Sequence, residues 1–89
     1  MRIEYLPTFI KDLKSLRGTP HFQKIHSLAF EEIQLLPSVE AIPNCSKLVG
    51  YEFYYRIRVG DYRIGFRLDG DTLVFMRVVH RKDIYRYFP

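Results

Sequence analysis

Apolar and polar residues alternate strictly along two stretches in the second half of the chain, a period of two that predicts β-strands. In the first, Tyr51, Phe53, Tyr55 and Ile57 fall on one face, and Glu52, Tyr54, Arg56 and Arg58 on the other. In the second, Tyr62, Ile64, Phe66 and Leu68 face one way, and Arg63, Gly65 and Arg67 the other. A Gly60-Asp61 turn separates them. An Asp69-Gly70-Asp71 turn then leads into Leu73 to Val79, apolar except for Arg77, which reads as a central strand buried on much of both faces. Three such strands in succession make a meander with an apolar face and a face of guanidinium groups.

The first half carries a different period. Ile3 and Tyr5 share one side of a short opening strand that Pro7 should end. Thr8 is placed to cap a helix whose apolar positions are Phe9, Leu13 and Leu16, with Lys11, Lys14 and Arg17 on its other side and Gly18 closing it. Thr19-Pro20 predicts a second helix start, followed by Phe22, Ile25, Leu28 or Ala29, Ile33 and Leu36 up to Pro37. Between Ser38 and Val49 no element is readable, and Val39, Ile42, Leu48 and Val49 are expected to be anchors. The resulting fold class is α+β. A strand, an αα-hairpin and a three-stranded antiparallel meander form one domain over residues 1–89, with the opening strand joining the sheet by a crossover. The helices cover the apolar face and the arginine face stays open.

Composition sharpens this picture in two respects. Hydrophobic residues make up 47% of the chain and aromatics 16%, which excludes disorder. The net charge of +4 is modest, but residues 50–89 hold eight Lys/Arg against five acids, whereas residues 1–49 hold six against five. A single cysteine, Cys45, excludes an internal disulfide and a multi-thiolate metal cluster. The sequence contains no phosphate-binding glycine loop, zinc spacing or membrane-length apolar run, so neither a cofactor nor a metal nor a membrane partner is expected, and the expected location is the cytoplasm.

Arg56, Arg58 and Arg63 share the face away from the helices, and cross-strand neighbours lie roughly 5 Å apart. Folding does not need three like charges so close together, whereas an anion repays their repulsion. A guanidinium fork matches phosphate oxygens. Arg81 joins from the exit of the last strand, together with His80 and Tyr85. A phosphodiester is cut without metal when a base takes the 2′-hydroxyl proton, cations stabilise the phosphorane and an acid protonates the leaving oxygen. His80 is suited to moving protons near neutral pH. Tyr85 can do so where neighbouring arginines stabilise its phenolate. The plainer alternatives are a solvated arginine face, a packed strand-end histidine and a rim tyrosine. His21 and His26 are expected to be surface residues.

The segments R-I-R at 56–58, G-D-Y-R at 60–63 and H-R-K-D-I-Y at 80–85, in this order, resemble the RelE/ParE superfamily of toxins, and among them the RelE-type mRNA interferases. The resemblance is centred on residues 54–86 and supported by FIKDLKSL at 9–16. It implies a toxin neutralised by a cognate antitoxin, entering the ribosomal A site and cutting mRNA by 2′-OH attack. Operator DNA is implied only indirectly, through the antitoxin. It implies Arg63, Arg81 and Tyr85 as catalytic, with His80 at the end of the last strand, and Arg56 and Arg58 as RNA-binding; from their charge and place, Lys82 and Arg67 are expected to bind RNA as well. The best-known RelE toxins carry lysines at the positions of Arg56 and Arg58. Arginine cannot give up its proton, so here those two positions bind and stabilise charge and the base is His80 or Tyr85. The resemblance leaves two other readings: a ParE-like inhibitor of DNA gyrase, and an inactive binding member of the fold.

Overall fold

The computed structural model describes residues 1–89, and they form one five-stranded sheet with the first helices on one face and a short last helix on the other. Strand β1 (Arg2–Tyr5) leads into helix α1 (Pro7–Ser15). A longer helical segment follows, starting as α2 (Phe22–Ser27), loosening to a wider turn over Leu28–Glu32 and tightening over Ile33–Leu35. Strands β2 (Cys45–Lys47), β3 (Tyr54–Val59), β4 (Tyr62–Asp69) and β5 (Thr72–His80) come next, and the short helix α3 (Ile84–Tyr87) ends the chain. The spatial order is β1-β5-β4-β3-β2, with β1 parallel to β5 and every other pair antiparallel. The crossover through the helices and the central position of the last strand are therefore both present.

The helix-bearing face holds the main core. Phe9, Leu13 and Leu16 of α1 and Ile25, Leu28, Ala29 and Ile33 of the second helical segment pack on Ile57, Val59, Ile64, Phe66, Leu73, Phe75 and Val78. Those helical residues are the stripes anticipated from spacing. The helix starts differ from expectation. Pro7 itself takes the first helical position, and the Thr8 hydroxyl donates to the Met76 carbonyl at 2.8 Å instead of capping α1. Thr19 closes the first helix by donating to the Leu16 carbonyl at 2.7 Å, and the next helix begins only at Phe22.

Two elements were unreadable for physical reasons. Strand β2 lies in the segment without pattern, where three residues pair with Tyr55, Arg56 and Ile57 across the sheet edge. The chain must then reverse between Lys47 and Tyr54, and Gly50 at φ +86° makes that turn. Strand β3 consequently starts at Tyr54 instead of Tyr51, and Tyr51, Phe53 and Val49 are left exposed in the connection. The second element is α3. It lies over the supposedly open face, where Ile84 and Phe88 join Leu48 in a second small core. That face is therefore open only in part.

One irregularity governs everything after it. The β4–β5 ladder passes from Phe66 opposite Phe75 to Gly65 opposite Arg77, so Met76 is an extra residue bulged out of β5. A one-residue slip exchanges the two faces of the strand beyond it. Unbulged alternation from Phe75 would send Arg77 into the main core. The bulge puts Arg77 on the arginine face and Val78 in the core.

Candidate active site

Register alone brings the first arginines together. Arg58 is directly opposite Arg63 across β3 and β4, and Arg56 is opposite Gly65 on the same face. Arg63 is half-buried, and its Nη1 donates to the Gly60 and Tyr62 carbonyls, both at 2.9 Å. Those bonds lash its guanidinium to the β3–β4 turn. Burial first, then the charges of Arg56, Arg58 and Arg81, hold Arg63 below the ordinary arginine value, while the phenol of Tyr85 pulls the other way. Four guanidinium groups and one phenol thus occupy one neighbourhood.

The cluster is poorly neutralised. Arg58 reaches the amide oxygen of Asn44 at 3.4 Å, a weak bond to an uncharged group. Arg81 meets Asp61 at 4.0 Å, and both side chains are more than half exposed, so water screens that pair. Its backbone N–H is tied more firmly, to the Asp61 carbonyl at 2.7 Å. Uncompensated like charge held at fixed spacing on a sheet creates a positive potential that attracts anions.

Tyr85 is two-thirds exposed on α3, and the Arg56 guanidinium lies over its ring at 6.0 Å. Beside them runs a groove of about 370 Å³ lined by Lys47, Leu48, Val49, Tyr51, Arg56, Tyr85, Phe88 and Pro89. Its apolar floor and basic, aromatic rim suit a nucleotide, whose base stacks and whose phosphate needs a cation. Lys47 and Tyr51 were missed as site residues. Lys47 belongs to strand β2, which is too short to show a period, and alternation alone puts Tyr51 inside a strand with its ring toward the core.

The remaining candidates are more dispersed. His80 is opposite Tyr62, on the helix-bearing face, because the Met76 bulge exchanged the faces of β5. Its ring meets Tyr62 edge-on at 5.7 Å, and its Nδ1 accepts the Lys82 backbone N–H at 3.2 Å. Val79, not His80, lies across from Arg63. Lys82 is exposed in the turn after β5. Arg67 is four residues from Arg63 along β4, roughly 13 Å at strand spacing. Phe88 over Gly65 stands between them, and Arg67 instead points its Nη1 at the Met76 sulfur at 3.8 Å.

His21 and His26 are half-buried and not free surface residues. His21 packs edge-on against Tyr62 at 5.6 Å, and His26 has Phe22 and Phe30 on either side, at 5.8 and 4.8 Å. Cys45 is half-buried, and burial first, then Glu40, push its thiol up to about 11, away from nucleophile chemistry. No His/Cys/Asp/Glu group of three is arranged to hold a metal ion. No helix is long and apolar enough to cross a membrane.

Comparison with known proteins matches this architecture throughout its length. The family model described as ParE toxin of type II toxin-antitoxin system, parDE, matches residues 3–85. Toxin RelE3 of Methanocaldococcus jannaschii is 48% identical over 90 residues, spanning the whole of both chains. The toxin of the RelB–RelE antitoxin–toxin complex from Methanococcus jannaschii superimposes with a TM-score of 0.78 at 48% identity, covering 97% of this chain and 99% of that one. A chain of the Escherichia coli DinJ–YafQ complex shares the fold, at a TM-score of 0.75 and 21% identity, with 96% of this chain and 99% of that one covered.

Proposed function

The chain belongs to the RelE/ParE toxin superfamily, and we propose that within it the protein is an endoribonuclease that cuts mRNA at the ribosomal A site. The observation that carries this reading is the pairing of Arg58 with Arg63, with Arg56, Arg81 and Tyr85 around them and too few carboxylates to neutralise them. Convergent guanidinium forks match the oxygens of a phosphodiester.

In this reading Arg63 and Arg81 hold the scissile phosphate. Arg63 is the fixed member, and Arg81, more than half exposed, reaches the substrate from the strand exit. Arg56 and Arg58 take the flanking backbone and the charge that builds in the phosphorane. Tyr85 shares the groove with Arg56 and takes the 2′-hydroxyl proton. The 2′-oxygen attacks phosphorus and the bond to the 5′-oxygen breaks. The 5′-oxygen leaves with a proton from the solvent that this open site admits, giving a 2′,3′-cyclic phosphate and a 5′-hydroxyl. His80, facing the other side, holds the strand exit through Lys82 N–H and presents Arg81. Lys82 and Arg67 contact RNA outside the reacting centre. The scheme needs no metal, because arginines supply the positive charge.

The partner that silences this chemistry is a cognate antitoxin. Support comes from the 48% identical relative, which was solved as a RelB–RelE complex. Leu35, 84% exposed, and Phe53, 54% exposed, are apolar positions that a partner would cover. Operator DNA is reached through that antitoxin.

The test is primer extension on cellular mRNA after brief induction of the parent and of an Arg81→Ala/Tyr85→Phe variant. Cuts within translated regions that vanish in the variant are the expected result. The ParE description of the matching family model favours a second reading, inhibition of DNA gyrase. That reading gives growth arrest with DNA damage and intact mRNA.

A further inference from the structure

The edge of β5 beyond the end of β1 has no strand beside it, and α1 covers it with side chains. Asp12 on α1 accepts from the Val78 backbone N–H at 3.1 Å and grips Arg77 with both carboxylate oxygens, at 2.7 Å to Nε and 3.0 Å to Nη2. Both side chains are largely buried, at 25% and 15% exposure. Fork-to-fork geometry of this kind fixes the plane of a guanidinium. The bulge at Met76 sets Arg77 on the arginine face, so the pair wraps around the edge of the sheet from one face to the other. On that second face the Arg77 guanidinium lies 5.1 Å from the centre of the Tyr87 ring.

Tyr87 and Tyr85 are two residues apart on α3, and so project from opposite flanks of that short helix. Tyr87 meets Arg77 at the β5 edge, and Tyr85 meets Arg56 on β3. Beneath the helix, Ile84 and Phe88 sit in the small core. Four residues cannot hold a helix in place by their own hydrogen bonds. Its orientation therefore depends on these flanking contacts together with the small core beneath it.

We propose that Asp12, Arg77 and Tyr87 form a positioning relay, in which the α1 carboxylate fixes Arg77, Arg77 fixes Tyr87, and the helix thereby keeps Tyr85 beside Arg56. None of the three touches substrate. The catalytic consequence rests on the endoribonuclease reading, whereas the geometry of the relay does not.

The chain contains no tryptophan, so Tyr85→Trp gives a single reporter on α3. In that background Tyr87→Ala is expected to lower the emission anisotropy of the indole, and Arg77→Met to lower it equally. The double variant should fall no further, and Tyr87→Phe, which keeps the ring, should match the parent. Unchanged anisotropy in Tyr87→Ala, or effects of the two changes that simply sum, would overturn the relay. So would a fall in melting temperature for Arg77→Met with the reporter unmoved, since the ion pair would then be only a structural link. Tyr87 is nearly half exposed, so its variants fold even if Arg77→Met does not. With Tyr85 restored, Tyr87→Ala should lower kcat for ribosome-bound mRNA while KM stays at the parent value. A fall in KM-type binding alone would count against the relay. If the parent itself cleaves nothing, the endoribonuclease reading falls, and the anisotropy result still decides whether Tyr87 and Arg77 orient the helix.

Discussion

Arg58 and Arg63 face each other across two strands of one rigid sheet, each carrying a full positive charge that the fold does not neutralise. Like charges directly opposite on a sheet cost stability. The proposed RNA-binding role accounts for a pairing that folding alone does not call for.

A stability–function trade-off follows at Arg58. Arg58→Thr should leave the protein as stable as the parent or stabler, by up to about 1 kcal/mol, while weakening RNA binding. Thermal melting at low and moderate salt checks this. The parent should gain stability with salt, because screening relieves the repulsion, and the variant should gain less. Arg63 is a poorer probe, because its removal also discards bonds to the Gly60 and Tyr62 carbonyls.

Gly65 should not tolerate a side chain. A Cβ there would lie 2.6 Å from Cγ of the buried Phe88 ring. Gly65→Ala should therefore cost about 1–3 kcal/mol, the usual scale of overpacking, and should loosen α3. Chemical denaturation measures the loss. Gly65→Ala combined with Phe88→Leu should recover part of it, since the smaller side chain leaves room.

Gly60 carries two constraints at once. Its φ of +57° is left-handed, and an added Cβ would overlap the His21 ring. Gly60→Ala should destabilise by the backbone cost of about 1–2 kcal/mol and by the clash besides. Gly60→Ala with His21→Ala should remove only the clash. Denaturation midpoints of the single and double variants separate the two contributions.

Cys45 should be inert in the folded chain. Its thiol is raised from 9.0 to about 11, chiefly by burial, so at about pH 8 the folded protein holds roughly a hundredfold less thiolate than a free cysteine. Alkylation should be slow under native conditions and fast in denaturant. The folded form resists ionisation, so this group's contribution to stability is complete below about pH 9 and is lost as pH climbs through about 11.

Much of this molecule is legible in its residues. Period two exposes the meander and puts Arg56, Arg58 and Arg63 on one face, and period 3.6 finds Phe9, Leu13, Ile25 and Ile33. What escapes is set by tertiary geometry. Three residues of β2 are too few to show a period, so nothing in the pattern sets Lys47 beside the groove. The Met76 bulge has no signature in an apolar run, yet it moves His80 to the far face and brings Arg77 out of the core. Ile84 and Phe88 lie in a segment too short to show a period, and only the bare patch at Gly65 shows what Phe88 covers. The Asp12–Arg77 pair joins residues 65 positions apart, and nothing near either residue announces it.

The measurement that bears most directly on the central claim is the chemistry of the ends left on mRNA in a purified translation complex, with chelator present throughout. The parent chain should produce fragments with 5′-hydroxyl and 2′,3′-cyclic phosphate ends, and Arg81→Ala, which removes an exposed side chain, should produce none while remaining folded. Fragments bearing 5′-phosphates, or intact mRNA from a protein that instead traps gyrase on DNA, would contradict the account.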